Sequence, residues 1–320
     1  MRTKLTSVLA GALLAGSSLA VSSGIVQADE KLKVVASFSI LGDFVQRVGG
    51  DRVEVTTIVG PDGDAHVYEP KPDDAKAMAA AKIVFVNGLA FEGWLDRLVE
   101  SSGYKGPLIK TTDGIEPEKM EEGHNHDHAE GEKKEEHDHG HAHGEFDPHA
   151  WQSAANVQVY VRNIAEALCA VEKSDCDTFK ANAEAYAKEL SSLDSEIKAA
   201  VGKVPENRRT VITSHDAFGY FSHEYGVMFL APEGVSTESE ASAQDVAKLI
   251  DQIREDKASA LFVENVSDPR LIEQISKETG LKIGGALYSD ALSEKDGPAA
   301  TYVDMMRHNT KLLTEAMAGS

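Results

Sequence analysis

Only two cysteines occur in the 320 residues. That excludes a disulfide-stapled scaffold and a cysteine-rich zinc domain. Positive charge is also scarce: 32 Lys and Arg face 53 Asp and Glu, for a formal charge of −21. Such a balance repels nucleic acid and anionic membrane surfaces and suits a solvated protein that handles cations. Beyond residue 28 there is no run of apolar residues as long as the roughly 18 that a membrane span needs. HExxH, CxxC and nucleophile motifs are absent as well.

One residue type is in excess. Of twelve histidines, eight fall between His124 and His149.

The first residues read as an address. Met1 to Lys4 is basic, Leu5 to Val21 is mostly small and apolar, and Val26-Gln27-Ala28 fits a small-x-small cleavage site. Residues 1–28 are therefore expected to be a secretory signal peptide. A membrane anchor is the weaker reading, because the stretch is short and rich in Ser and Gly. No lipobox cysteine follows, so no lipid anchor is expected. The signal is bacterial in style, which places the mature protein in the periplasm, soluble. In that compartment Cys169 and Cys176 are expected to form one local structural disulfide.

The mature chain alternates strand-like and helix-like segments. Strands are expected at 33–38, 53–59, 82–86 and 107–110, with helices at 40–48, 73–81 and 91–101 between them. The C-terminal part repeats the logic, with strands at 210–213, 227–231, 260–264 and 282–287 and helices at 216–225, 242–256, 269–279 and 299–317. This alternation predicts α/β architecture: mainly parallel sheets flanked by helices. Between the halves, Asp177 to Val201 has no Gly or Pro. Its Phe179, Ala183, Tyr186, Leu190, Leu193, Ile197 and Ala200 form one helical seam. A coiled-coil dimer could use such a seam, but about three heptads between two α/β halves favour packing along both lobes of a monomer. The expected organisation is a signal peptide (1–28), an N-terminal lobe (29–172) holding a His-rich mobile loop (113–145), a linking helix (173–203) and a C-terminal lobe (204–320).

Within that loop, His124, His126, His128, His137, His139, His141 and His143 alternate with polar and acidic residues. Almost nothing there could support a core, so the segment is expected to be mobile and to bind several metal ions weakly. Imidazole and carboxylate without thiolate suit zinc, and less specifically manganese, iron, nickel or copper.

Three other histidines lie at strand ends or strand-to-helix connections. They are His66 in Gly63-Asp64-Ala65-His66-Val67-Tyr68-Glu69-Pro70, His149 in Asp147-Pro148-His149-Ala150-Trp151, and His215 in Thr213-Ser214-His215-Asp216-Ala217-Phe218. Asp290 in Leu287-Tyr288-Ser289-Asp290 occupies a like position, although alone it would be a helix-capping candidate. Ligands of open α/β sheets bind at such strand ends. Four groups of this kind facing one cleft would make a closed tetrahedral His/carboxylate shell. His223 and His308 sit within helix patterns and read as structural or surface residues.

Taken in order, these motifs and the long helix resemble the metal-binding solute-binding proteins of bacterial ABC transporters, in the cluster (A-I) that includes zinc-binding ZnuA-like and AztC-like proteins. The resemblance covers essentially the whole mature chain. It implies two α/β lobes joined by one rigid helix, with the metal in the interlobe cleft bound by His66, His149, His215 and Asp290. It also implies a membrane ABC permease as partner and, as in some relatives, a periplasmic zinc chaperone. Manganese-type relatives place Glu where this chain has His215, so Zn2+ is the expected cargo. The alternatives are a manganese or other divalent-metal carrier of the same family, a periplasmic zinc hydrolase, and a metal buffer that uses the loop alone. A catalytic zinc needs an open coordination position and a neighbouring base. The available fourth ligand argues against an enzyme.

Overall fold

The structure is a computed structural model that describes residues 30–119, 145–238 and 241–319. The expected signal peptide and all seven loop histidines lie outside the described residues.

The first lobe contains β1 (Leu32–Phe38), α1 (Ser39–Gly49), β2 (Val53–Val59), α2 (Pro72–Ala80), β3 (Ile83–Val86), α3 (Leu95–Ser102) and β4 (Leu108–Lys110). Its four strands are all parallel, in the order β2-β1-β3-β4. Every residue of β3 is buried, as a central strand covered on both faces requires. α1 buries Ile40, Leu41, Phe44, Val45 and Val48 on one face and stops where Gly50 takes a φ of 57°.

α4 (Ala154–Val171) and α5 (Cys176–Val201) follow. Ser153 caps α4 by accepting the Asn156 N–H. A disulfide between Cys169 and Cys176, with Cα atoms 4.6 Å apart, joins the end of α4 to the start of α5. On α5, Phe179, Tyr186, Leu190, Leu193 and Ile197 are buried. That seam packs against α1 and α4 and, further along, against α9 (Tyr302–Gly319) of the second lobe. The apolar face is thus used within the chain.

The second lobe runs β5 (Thr210–Ile212), α6 (Gly219–Tyr225), β6 (Met228–Leu230), α7 (Ala243–Asp256), β7 (Ala260–Glu264), α8 (Arg270–Thr279), β8 (Ile283–Leu287) and then α9. Its parallel sheet has the order β6-β5-β7-β8, the same permutation as the first. One large apolar core runs through both lobes and α5, and a smaller one lies between the second sheet and α7 and α8.

Three helices start later than their periodicity predicts. The helix read from Phe91 begins at Leu95, that from Asp216 at Gly219, and that from Ala299 at Tyr302. In the first two cases the backbone of the missing turn is bonded elsewhere. Phe91 closes a tight turn back to Gly88, and the Asp216 N–H donates to the carbonyl of Gly234 instead of entering a helix.

Candidate metal site

In each sheet the strand order reverses beside the lobe's first strand, and ligands of open α/β sheets gather at such points. His66 lies on the connection from β2 to α2, and His149 directly precedes a short 3-10 turn (Ala150–Gln152) ahead of α4. His215 follows β5, and Asp290 follows β8. His149, His215 and Asp290 are fully buried, and His66 is 7% exposed. One donor atom from each of the four lies within 4.8 Å of every other. His66 Nε2 is 3.3 Å from His149 Nε2 and 3.3 Å from Asp290 Oδ2. His215 Nε2 is 3.1 Å from Asp290 Oδ2, and His149 Nε2 is 3.5 Å from Asp290 Oδ1. A tetrahedron of donors about 2.0–2.1 Å from its centre has edges of about 3.3 Å. The His66–His149 separation and the two to Asp290 Oδ2 are near that size, and the set as a whole stays within 4.8 Å. Asp290 Oδ1 is buried and makes no hydrogen bond, which leaves a lone pair facing the cluster.

Two of the imidazoles are oriented from behind. Asp147 Oδ1 lies 2.7 Å from His149 Nδ1 and also accepts the His149 backbone N–H at 2.9 Å. Glu264, the last residue of β7, stands with Oε2 2.8 Å from His215 Nδ1, while its Oε1 accepts the backbone N–H groups of Ser214 and His215. A carboxylate at Nδ1 keeps the proton there and turns the Nε2 lone pair into the cleft. Asp147 in turn sits against Gly219, where a Cβ would come within 2.6 Å of its Oδ2. Asp64 Oδ1 accepts the His66 backbone N–H, and its Oδ2 accepts the Thr237 hydroxyl of the second lobe. Trp151 and Gln152 both donate to the carbonyl of Ser289 at 2.8 Å, which fixes the residue before Asp290.

The electrostatics follow from burial set against close charges. Burial pulls the His149 pKa down, but the carboxylates of Asp290 and Asp147 outweigh it and push it to about 9. The same contest, with Glu264 and Asp290 as the carboxylates, leaves His215 well above the ordinary imidazole value. At His66 burial wins and the pKa is lowered. Burial would raise Asp290, yet His215 and His149 hold it well below the usual carboxylate range. The carboxylates around the cluster thus favour the protonated forms of His149 and His215, so protons compete with a cation for these nitrogens.

The structure thus brings together the four residues singled out in the sequence and sets the others apart. His223 is exposed and faces Glu118 at 3.3 Å. His308 lies 3.1 Å from the carbonyl of Ala286. Asp290 caps no helix, since α9 begins only at Tyr302. Sequence reasoning missed the supporting carboxylates. Asp147 lay inside a quoted motif without a role, and Glu264 was read only as a strand residue. An acidic residue closing an otherwise apolar strand, Ala260-Leu261-Phe262-Val263-Glu264, was the available signal.

Comparison with known proteins identifies the family. Residues 34–316 match the family described as the periplasmic component A of the zinc-uptake complex (ZnuA). The manganese-binding lipoprotein MntA of Halalkalibacterium halodurans is 32% identical over 307 residues, covering 96% of this chain and 95% of that protein. The iron-binding protein YfeA of Yersinia pestis is 32% identical over 277 residues, 87% and 83% of the two chains. Among solved structures, the periplasmic zinc-binding protein TroA of Treponema pallidum superposes with a TM-score of 0.80 at 27% identity, covering 90% of this chain and 99% of that one. The manganese-bound periplasmic metal-binding protein of Candidatus Liberibacter asiaticus gives 0.76 at 29% identity, over 90% and 100%. The chain belongs to the ZnuA family of metal-binding substrate-binding proteins of ABC transporters, a family of carriers and not of enzymes.

Proposed function

We propose that the protein is a periplasmic carrier that binds Zn2+ through His66, His149, His215 and Asp290 and delivers it to a membrane ABC permease. The observation that carries this reading is the third imidazole. His215 Nε2 sits 3.1 Å from Asp290 and completes a three-nitrogen, one-oxygen donor set whose atoms lie within 4.8 Å of one another. Imidazole-rich tetrahedral shells suit zinc, whereas manganese favours more oxygen donors and higher coordination. The relatives named for manganese and iron support a second reading, a carrier of one of those ions. The donor set favours zinc over it. The two cysteines are joined to each other, which supports a free periplasmic form over a thioether-linked one.

The test is direct competition. Metal-free protein is equilibrated with equal Zn2+ and Mn2+ in the presence of a chromophoric chelator, and the bound metal is counted by native mass spectrometry. Zinc is expected in the cleft at a large excess over manganese, and His215→Glu is expected to narrow that preference sharply. Comparable retention of manganese by the unaltered protein would overturn the zinc assignment and leave the manganese reading standing.

A further inference from the structure

His149 and His215 each have a carboxylate at the far nitrogen, but among the described residues the only carboxylate that pairs with the His66 ring is Asp290, on the cleft side. What meets that ring is Phe91, edge-on, with centroids 4.7 Å apart and an interplanar angle of 78°. Phe91 is buried and also touches Phe38, Trp151 and His149, at centroid distances of 5.0, 4.9 and 6.1 Å. Three residues on, Trp94 Nε1 donates to the carbonyl of Ala65 at 2.7 Å and so fixes the residue before His66.

The backbone that presents Phe91 is strained. The Phe91 N–H donates to the Gly88 carbonyl at 3.1 Å, and the two residues between them, Leu89 and Ala90, have φ of 53° and 62°. Turns with positive φ at both central positions are normally built from Asn or Gly, because a Cβ is disfavoured there. Here Glu92 holds the turn. Its carboxylate is buried and accepts the Asn87 N–H and the Ser37 hydroxyl at 2.6 Å each and the Gly88 N–H at 3.2 Å. Backbone strain of this kind persists only where the surroundings over-determine it, and it concentrates at functional sites.

We infer that Phe91 is a positioning residue of the metal cleft: the clamped Gly88–Phe91 turn presses its ring against His66 and fixes the one imidazole that no rear carboxylate holds. The inference rests on the assignment of His66 as a ligand. Removing the ring leaves a donor that can rotate off the metal, so the coordination geometry and the escape rate should change together.

The test uses the full-length protein loaded with Co2+, whose visible absorption reports coordination geometry, together with zinc release into excess chelator. The unaltered protein is expected to give an intense four-coordinate Co2+ band that His66→Ala alters. If it does not, the ligand assignment itself fails, separately from the role of Phe91. Phe91→Leu is expected to weaken or shift the band and to speed zinc release about tenfold or more, the size of effect seen for groups that orient metal ligands. Phe91→Met, whose unbranched side chain adapts to the vacated space, should do the same with less cost to folding. Phe44→Leu, at a buried phenylalanine that packs on Tyr160 and Tyr302, is expected to lower the melting temperature without altering the band. An unchanged band and release rate in the folded Phe91 variants would overturn the inference, as would equal changes in Phe44→Leu.

Discussion

Replacing Glu264 by Gln alters the charge behind His215 while keeping the shape. In the native arrangement the carboxylate accepts the backbone N–H groups of Ser214 and His215 at Oε1, while Oε2 forms a close ion-pair contact with His215 Nδ1 at 2.8 Å. An amide has one oxygen. If that oxygen stays on the backbone, the NH2 faces the Nδ1–H, donor against donor. The imidazole then moves its proton to Nε2, the atom that points at Asp290 and the cleft. If the oxygen turns to Nδ1, two backbone donors are left facing an NH2 in a fully buried site. Either arrangement weakens zinc binding by about 10–100-fold, or roughly 1.4–2.7 kcal/mol. A second effect opposes this one. Glu264 helps to raise the His215 pKa, so in the native protein a proton must leave before zinc can bind. Removing the charge eases that competition, most at low pH, where the native imidazole is most fully protonated. The gap between variant and native affinity is therefore expected to be widest at the alkaline end of the pH range and to narrow as the pH falls. Competition titrations against a chromophoric chelator across that range measure both quantities. An affinity within twofold of native at high pH, or a gap that widens as pH falls, would refute the assigned role of Glu264.

Other outcomes are expected from the same geometry. Because His149 is held at about 9 and His215 is also raised, loading zinc near pH 7 should expel about two protons; calorimetry in buffers of different ionisation enthalpy counts them, and a count near zero would contradict the electrostatics. Gly219→Ala drives a Cβ into Asp147 and should loosen His149, with zinc affinity falling about tenfold in the same titration. Opening the Cys169–Cys176 link by Cys→Ser at both positions frees a short loop and should cost about 2–3 kcal/mol of stability in denaturant melts, while cleft affinity stays within twofold. Deleting residues 121–145 should lower the total zinc bound and slow loading at scarce zinc, with little change in cleft affinity; a large loss would mean that the segment supplies a primary ligand.

Much of this architecture was legible in the sequence because its signals are local. β2 and β7 have the bounds that their apolar runs predict, and the four site residues stood out because each lies just past a strand or just before a helix. The rest depends on contacts between distant segments. Phe91 to Trp94 continues the pattern of the following helix, and only Glu92 reaching back to Ser37 and Asn87 shows why the backbone departs from it. Ala154–Val171 is one of the longest helices, and its buried Ala154, Val157, Tyr160, Val161, Ile164, Ala165 and Leu168 recur at helical spacing, but the alternating, valine-rich Val157-Gln158-Val159-Tyr160-Val161 imitates a strand and masks that period. Glu264 gave no spacing signal, because its partner His215 is 49 residues away.

The seating of α5 bears on how this protein could be engineered as a metal reporter. Fluorescent sensors built from hinged binding proteins read the swing of two halves about a flexible joint. Here the joint is a 26-residue helix packed on α1 and α4 at one side and on α9 at the other, so dyes placed on opposite lobes would report little displacement. A label beside Thr237, whose hydroxyl bonds Asp64 two residues from His66, would instead follow the local contacts around the metal. The frame that mutes the first design helps the second, because a fixed background leaves local rearrangement as the main source of signal.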